Sequence, residues 1–302
     1  VPVKDDLNSF ILKEVQKEKL YDFLREMEFN RILSQAISFY GESTKSNGEL
    51  SVLKKETSKV NIKNYESITN EKDLDKWIKI LNEKSVISVD TETSSLNPLE
   101  ADLVGVSFSY GVNKACYIPL GHKNIKGLKK EIVLKKIKVI LEDSSIKKVG
   151  QNIKFDFIIL KQNGIEINPI EDTMLISYTL DAGINRHNLD ELSQIHLNHK
   201  TISYKELVGT GKNKLNFSDI ALDKATEYAA EDADITLRLY NRLKTRLDEE
   251  KLSKVYEIFE KPMVKLLSKL EFNGIKVDNI YLKKLSKNFE LKLKKIEKEI
   301  YL

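Results

Sequence analysis

Two carboxylates, Asp90 and Glu92, follow an apolar run that ends at Val89. Residues two apart on a β-strand point to the same face, so both side chains are expected together at the end of a strand. Carboxylates in such a place repel each other and are poorly solvated, and a divalent cation such as Mg²⁺ or Mn²⁺ would offset both costs. Two surface acids at a solvated strand end would give the same pattern. The pair alone leaves both interpretations open.

A second group of candidates lies on predicted helices. Tyr228 and Asp232 are four residues apart and therefore share one face of a helix, and Asp156 lies between two phenylalanines in another helix. Taken singly, these residues also fit an acidic amphipathic helix, a helix cap or an ion pair. Taken together with the strand pair, they suggest a site where two divalent metals cut a phosphodiester.

The pattern of apolar residues places these side chains on an α/β scaffold. Strands are predicted over 86–90, 103–110, 115–118 and 146–150. Helices are predicted over 71–82, 128–142, 152–162 and 223–249, and the chain is mainly helical from residue 171 onward. Three consecutive strands suit a meander, and a later strand reached through a helix suits a crossover. We therefore expect a mixed sheet flanked by helices.

Changes in composition divide the chain into four parts. Residues 1–40 have the pattern of a helical tail, and residues 41–64 are polar, contain two glycines and form a predicted linker. A compact unit that carries every candidate residue begins near Tyr65, and residues 251–302 form another helical region. The chain begins with Val1, not Met, so we expect it to be a piece of a longer protein.

The composition argues against several classes of protein. Of 302 residues, 41% are hydrophobic and 32% are charged, as in a soluble globular protein. No run approaches the roughly 18 apolar residues that span a bilayer. The net charge of +4 does not by itself argue for nucleic acid. Cys116 is the single cysteine, which excludes an internal disulfide and favours a reducing, cytoplasmic setting.

Three segments resemble the motifs of a known family. V-D-T-E-T-S-S-L, G-Q-N-I-K-F-D and Y-A-A-E-D-A-D-I-T-L resemble the exonuclease motifs of the DEDD superfamily, in the subclass whose third motif is Tyr-x-x-x-Asp. Over roughly residues 65–255 the chain is similar to the proofreading domains of the bacterial DNA polymerase I family. The resemblance implies a ribonuclease H-like mixed sheet flanked by helices, with helical extensions at both ends.

The flanks resemble the same family. The first 40 residues look like the end of its 5′-nuclease domain, and residues 256–302 look like the truncated beginning of its polymerase domain. The polymerase carboxylate motifs are absent from this sequence, so we expect no DNA synthesis by this chain.

The resemblance implies a site for two divalent metal ions, Mg²⁺ or Mn²⁺. Asp90, Glu92 and Asp232 would hold one ion. Asp90 would bridge to a second ion, which Asp156 would support mainly through water. Tyr228 would orient the attacking water, and its ordinary pKa of about 10 would make it a poor base at neutral pH. Because the four carboxylates and the tyrosine are all present, we expect an active enzyme.

The resemblance also implies contacts to a DNA 3′ end. Leu96 would wedge against the terminal base with Tyr204 nearby, and such packing tolerates any base. The remaining substrate contacts would come from polar side chains, namely Thr91, Gln151, Asn152 and Arg186. From the residues alone, Leu96 and Tyr204 could equally belong to the core, and Arg186 could form a structural ion pair.

The expected activity is 3′→5′ removal of nucleotides from single-stranded or frayed DNA. The expected setting is a monomeric, cytoplasmic, nucleoid-associated bacterial protein that proofreads during DNA replication and repair. Two alternatives remain open. An RNA-trimming exonuclease of the ribonuclease D type shares the motifs, although the flanks favour the polymerase family. A catalytically silent spacer or single-strand-binding domain is the other, and the intact carboxylates weigh against it.

Overall fold

The computed structural model describes residues 15–27, 29–41, 59–125, 127–211 and 214–301. Within these residues the strands are β1 (Glu66–Ser67), β2 (Val86–Thr93), β3 (Leu103–Gly111), β4 (Lys114–Pro119), β5 (Lys147–Gly150) and β6 (Ile170–Asp172). The helices are α1 (Lys17–Glu26), α2 (Asn30–Tyr40), α3 (Glu71–Asn82), α4 (Lys130–Leu141), α5 (Lys154–Gln162), α6 (Thr173–Asp181), α7 (Leu189–Leu197), α8 (Tyr204–Val208), α9 (Leu222–Glu249), α10 (Ser253–Val255), α11 (Lys261–Asn273) and α12 (Asn279–Ile300). Most of the predicted linker and the start of the predicted tail lie outside the described residues. The four-part division stays a prediction.

The strands form one mixed sheet in the order β1-β4-β3-β2-β5-β6. β2, β3 and β4 make an antiparallel meander, whereas β5 runs parallel to β2, β6 parallel to β5, and β1 parallel to β4. Parallel neighbours need crossover connections, and α4 and α5 supply two of them. The predicted mixed α/β sheet flanked by helices is therefore confirmed, with β2 in its interior.

Side chains along β2 alternate between two helical layers. Ile87 and Val89 lie in the core formed between the sheet and helices α3, α4 and α5. On the opposite face, Ser88 donates a hydrogen bond from Oγ to the carbonyl oxygen of Ala233 on α9, at 2.6 Å. Both layers are fixed by burial of apolar area, so the strand has little freedom to rotate or slip in register.

This alternation determines which face of the sheet each side chain at the acidic end of β2 occupies. Asp90 and Glu92 have the parity of Ser88, so they face α9. Thr91 has the opposite parity, and it contacts α5. The end of β2 thus brings residues from helices on both faces of the sheet to one place.

The structure differs from the sequence prediction at the sheet edges. The pattern from residue 171 onward predicts mainly helix, but Ile170–Asp172 adds a strand at one edge, and Glu66–Ser67 adds another at the opposite edge. Strands of two or three residues are too short to show an alternating pattern. β2 also continues beyond its predicted end to Thr93.

Asp172, at the end of β6, organises the turn between β5 and α5. Its buried carboxylate accepts hydrogen bonds from the backbone N–H groups of Asn152 (3.1 Å), Ile153 (3.0 Å), Met174 (2.9 Å) and Leu175 (3.3 Å). The last two bonds cap α6. The first two fix a turn in which Asn152 has φ of 58°, a left-handed conformation that residues other than glycine rarely adopt.

The residues that follow α10 contact the same edge strand. Tyr256–Glu260 form a π-helical turn, and the buried hydroxyl oxygen of Tyr256 accepts a hydrogen bond from the backbone N–H of Asp172 at 3.0 Å. The ammonium of Lys261 lies 2.9 Å from Oε1 of Glu171, which is only 2% exposed. An acid buried this deeply is costly without a partner, so Lys261 offsets that cost.

The last helix has no such anchorage. α12 buries none of its residues, and apolar side chains such as Phe289 and Ile300 are exposed along it. No helix in the described part of the chain is both long and apolar enough to cross a membrane.

Gly105 on β3 leaves room for a tyrosine beneath the site. A Cβ atom at Gly105 would lie 2.1 Å from Oη of Tyr117. Tyr117 is fully buried, and its hydroxyl lies 2.8 Å from Nε2 of His122. Its ring packs edge-to-face on Phe217, whose ring in turn contacts Tyr228. The position opposite Glu92 in the β2–β3 ladder therefore tolerates only glycine without rearrangement.

We expect Gly105→Ala to lower the free energy of unfolding by about 1–3 kcal/mol, the usual cost of forcing an extra carbon into a packed core. Gly111→Ala is the matched control on the same strand, because the nearest atom to its added Cβ is 4.0 Å away. Urea unfolding of both variants measures the difference. Equal losses in the two variants would contradict the steric explanation.

Asp172 also gives a pH-dependent prediction. Burial raises the pKa of its carboxyl to about 6, although four backbone hydrogen bonds favour the ionised form. The folded pKa lies above the ordinary value, so this contribution to stability is complete below about pH 3.8 and is lost as the pH rises through 6. Asp172→Asn cannot titrate, and its amide nitrogen would face backbone N–H donors. We expect a less stable variant whose deficit shrinks by about 1 kcal/mol between pH 5 and pH 7.5. The unfolding free energies of the wild type and of Asp172→Asn are measured against pH. Two parallel curves would rule out this role of Asp172.

Candidate active site

A cleft of about 700 Å³ opens at the end of β2. Ten of the eleven residues that the sequence nominates line it: Asp90, Thr91, Glu92, Leu96, Gln151, Asn152, Asp156, Tyr204, Tyr228 and Asp232. They come from β2 and the segment that follows it, from the turn before α5, and from α5, α8 and α9. Elements distant in the sequence thus converge on one concave surface, as ligand sites commonly do.

Three carboxylates meet at the side of the cleft formed by β2 and α9. Asp90, Glu92 and Asp232 each offer an oxygen atom, and these atoms lie within 4.8 Å of one another. The strand contributes two of them because residues two apart share a face. Helix α9 supplies the third because it packs on that same face of the sheet.

The fourth carboxylate arrives from the other face. Asp156 on α5 is buried, and its Oδ1 accepts hydrogen bonds from the backbone N–H of Thr91 at 2.9 Å and from the Thr91 hydroxyl at 2.5 Å. Thr91 therefore clamps Asp156 to the strand between Asp90 and Glu92. Four acids consequently share one end of β2.

The electrostatics of this group are unfavourable without a counter-charge. Burial raises the pKa of Asp90 to about 6. Burial also raises the pKa values of Glu92, Asp156 and Asp232 well above their usual range, and repulsion from Asp90 adds to the shift of each. All four carboxyls would thus retain protons more readily than in water, unless a cation stabilised their ionised forms.

The donor set fits a hard divalent cation. It consists of carboxylate oxygens, which Mg²⁺ and Mn²⁺ prefer over sulfur or nitrogen ligands. The spacing of the Asp90, Glu92 and Asp232 oxygens suits a single ion with metal–oxygen distances of roughly 2.0–2.6 Å. The raised pKa values point the same way, because each reports an acid whose negative charge has too little compensation.

Tyr228 lies beside Asp232 on α9 in an aromatic setting. Its ring centroid is 5.9 Å from that of Tyr204 and 6.0 Å from that of Phe217. Burial raises the pKa of the Tyr228 phenol far above its ordinary value, and the neighbouring carboxylate of Asp232 adds to the effect. The phenol is therefore neutral at physiological pH and is available as a hydrogen-bond donor, not as a base.

The nominated substrate residues differ in how available they are. Leu96 is 83% exposed and stands at the rim of the cleft, whereas Tyr204 is half-buried against Tyr228. The Gln151 side chain is already engaged at both ends, because its amide nitrogen donates to the His187 carbonyl oxygen at 2.7 Å and its amide oxygen accepts from Thr173. Leu96 thus has the exposure expected of a contact residue, while Gln151 tightens the turn before α5.

Arg186 does not belong to the cleft lining. It is exposed in the loop before α7, where its backbone N–H donates to Oε1 of Glu191 at 3.2 Å. The next residue, His187, accepts the Gln151 hydrogen bond, so Arg186 lies one residue from a contact of the cleft lining.

Sequence reasoning missed a loop that completes the cleft. Lys214, Leu215 and Asn216 line it. Asn216 donates a hydrogen bond from Nδ2 to the carbonyl oxygen of Ser94 at 2.8 Å, which ties this loop to the segment that carries Leu96. Nothing in the spacing of residues 214–216 indicates that they lie beside β2.

A second missed feature supports Tyr204. Glu231, next to Asp232 in the chain, is almost fully buried. Its Oε2 accepts a hydrogen bond from the Ile202 N–H at 2.6 Å, and its Oε1 lies 2.8 Å from Nε2 of His199. Both contacts fix the segment that leads into α8. The partners lie about thirty residues apart in the sequence, so no local pattern reveals them.

Comparison with known proteins gives consistent results. The family model described as 3′-5′ exonuclease matches residues 65–248. DNA polymerase I of Rhizobium leguminosarum is 40% identical over 257 residues, which cover 78% of this chain and 25% of that protein. DNA polymerase I of Pseudomonas aeruginosa is 36% identical over 295 residues, which cover 95% of this chain and 32% of that protein. The chain therefore spans only about a quarter to a third of the length of these relatives.

Among solved structures, Brucella melitensis NrnC has a TM-score of 0.52 and 24% sequence identity, with 72% of this chain and 95% of that chain covered. At this identity the likeness concerns the fold, and it confirms the expected ribonuclease H-like architecture. The extent of the family match and the sequence identity to the polymerase relatives show which family the chain belongs to. The chain belongs to the 3′-5′ exonuclease family of DNA polymerase A, the family found in bacterial DNA polymerase I.

Proposed function

We propose that this chain is a metal-dependent 3′→5′ exodeoxyribonuclease that removes nucleotides from single-stranded or frayed DNA ends. The observation that carries the proposal is the convergence of Asp90, Glu92 and Asp232, whose oxygens lie within 4.8 Å of one another beside the buried Asp156. Four clustered carboxylates form a set of oxygen ligands for divalent cations, and no covalent intermediate is needed. Hydrolysis by water, aided by bound cations, is the chemistry that such a set supports.

Two divalent ions, Mg²⁺ or Mn²⁺, are proposed as cofactors. Asp90, Glu92 and Asp232 would hold one, and Asp90 and Asp156 would support the other. Bound ions would supply an activated water at neutral pH and stabilise negative charge on the leaving 3′ oxygen. Structures of Brucella melitensis NrnC have been solved with bound Mg²⁺ and with bound pGG, which is compatible with this proposal.

The chain's own residues would position the reactants. Tyr228 would donate a hydrogen bond that orients the attacking water. Leu96 and Tyr204 would pack around the terminal base, which they can do only when that base is unpaired. The polar residues Thr91, Gln151, Asn152 and Arg186 are proposed to hold phosphate and sugar groups. A preference for single-stranded or frayed ends follows from the need to separate the terminal base from its complement.

The wider biological role is part of the same proposal. The polymerase relatives suggest that this activity serves proofreading during DNA replication and repair, in the cytoplasm of a bacterium and close to the nucleoid. We propose that the chain acts as a monomer, because one copy supplies all four carboxylates and Tyr228.

We expect the protein to shorten a 5′-labelled single-stranded DNA from its 3′ end in Mg²⁺ or Mn²⁺ and not in EDTA. Asp90→Ala and Asp156→Ala should each lower the rate about 10³-fold or more, because each loses several kcal/mol of transition-state stabilisation. Tyr228→Phe should lower it about 10- to 100-fold, the cost of one hydrogen bond to a charged group. Timed digests run on denaturing gels measure the cleavage rates of the wild type and of the three variants.

Asp223→Ala is the matched control, because Asp223 lies on α9 with Asp232 but is exposed and outside the cleft. A parallel digest of an RNA strand of the same sequence tests the substrate class. Faster digestion of RNA would favour the ribonuclease D-type alternative. Intact strands in every lane, from protein with a cooperative thermal transition, would favour a silent spacer.

Metal binding can be tested without turnover. Isothermal titration with Mn²⁺ should give a clear binding heat for the wild-type protein, and none for the protein in which Asp90, Glu92, Asp156 and Asp232 are all alanine. The physical reason is that bound Mn²⁺ supplies the counter-charge that the four buried carboxylates otherwise lack. Asp223→Ala should bind as the wild type does. Equal heats for the wild-type and quadruple variants would exclude this cleft as the metal site.

A further inference from the structure

Lys214 is the one basic side chain among the described residues that line the cleft. The same lining contains four carboxylates. A single strand brings one negative charge with every phosphate, and an acidic, poorly solvated cleft repels it. Metal ions held by the carboxylates would compensate for the scissile phosphate only. Any neighbouring phosphate of the strand needs a separate positive charge.

The loop that carries Lys214 is fixed at the mouth of the cleft. The backbone N–H of Leu215 donates to the Val208 carbonyl oxygen at 2.8 Å, which joins the loop to the end of α8. Asn216 is bonded to Ser94 on the other side of the cleft. Because the two residues that follow Lys214 are held and its own backbone N–H donates to the Gly211 carbonyl oxygen at 3.3 Å, the backbone of Lys214 has a defined position between Tyr204 and the Leu96 segment.

The Lys214 ammonium lies over the ring of Tyr204, 5.7 Å from its centroid. This distance is near the outer limit of a cation–π contact, and the side chain is exposed, so the contact is weak. Among the described residues, no carboxylate forms an ion pair with Lys214. The ammonium is therefore available to a stronger acceptor, and a phosphate oxygen is one.

Two apolar side chains mark the path that a strand would follow past this lysine. Leu215 is 50% exposed and Leu96 is 83% exposed, both line the cleft, and the Asn216–Ser94 bond joins the segments that carry them. Apolar side chains beside an aromatic ring suit the faces of bases, whereas a flexible ammonium suits the sugar-phosphate chain. The loop thus offers both kinds of contact within three residues.

Resting on the function proposed above, we propose that Lys214 binds a backbone phosphate of the single strand next to the scissile one. It is a substrate-positioning residue: it holds the strand in the acidic cleft without contacting the reacting atoms. The contact reads the charge of the backbone and not the identity of the base, so it suits an enzyme that removes any nucleotide.

The test compares Lys214→Met, Lys214→Arg and Lys205→Met with the wild type. Methionine keeps most of the aliphatic length over Tyr204 and removes the charge, whereas arginine keeps the charge. Lys205 is the matched control, because it is exposed on α8 next to Tyr204 but does not line the cleft. The readouts are KM and kcat on a single-stranded DNA at several salt concentrations, with the melting temperature of each variant.

We expect Lys214→Met to raise KM about tenfold and leave kcat within about twofold, because a phosphate contact acts on binding. The slope of log KM against log salt concentration should fall by roughly 0.7, the value for one phosphate contact on a single strand. Lys214→Arg should restore both KM and slope, and Lys205→Met should change neither. A merely structural role of Lys214 would not alter the salt slope.

Failure of the inference about Lys214 can be distinguished from failure of the exonuclease proposal. If the wild type digests DNA and Lys214→Met has the same KM and salt slope, the inference about Lys214 is wrong and the exonuclease proposal stands. If the wild type digests nothing, the exonuclease proposal fails, and fluorescence anisotropy with a labelled oligo(dT) in EDTA still decides the Lys214 contact. Equal affinities of the wild type and Lys214→Met in that assay would overturn it.

Discussion

Four carboxylates share one end of β2, where burial and mutual repulsion raise their pKa values. Such a group is unfavourable in a folded protein, and the rest of the fold holds it in place. The alternation of β2 sends Asp90 and Glu92 towards α9, while the Thr91–Asp156 hydrogen bonds attach α5 to the other side of the strand. The packing of two apolar layers therefore stabilises an arrangement that electrostatics opposes, and an arrangement of this kind favours cation binding.

The supporting contacts are of two physical kinds. Some are steric, such as the missing side chain at Gly105, which lets Tyr117 fill the space below Phe217 and Tyr228. Others are polar and fully buried, such as the Asp172 carboxylate with its four backbone donors. Steric contacts set the distance between layers, and the polar ones set the conformation of turns. The cleft needs both, because its lining comes from strand ends, helices and loops together.

The sequence alone predicts the mixed sheet, since β2, β3 and β4 each have a clear apolar pattern. It also nominates Asp90, Glu92, Tyr228 and Asp232, because spacings of two and four residues translate directly into shared faces. Their roles rest on the family resemblance and remain proposals. Lys214 and Glu231 escaped notice because their importance arises from contacts between segments far apart in the chain. Strand β6 escaped notice because three residues are too few for a period.

The contacts of Tyr256 and Lys261 bear on where the chain could be truncated without disturbing the sheet edge at β6. Both lie beyond the stretch that the exonuclease family model matches, and beyond the boundary at residue 255 that the family resemblance implies. Yet Tyr256 accepts the Asp172 N–H, and Lys261 is the ion-pair partner of the buried Glu171. A shorter version that ended at either boundary would expose β6 and leave Glu171 without its counter-charge. The folded unit that holds the cleft therefore extends at least to the first turn of α11, beyond the end of the family-model match at residue 248.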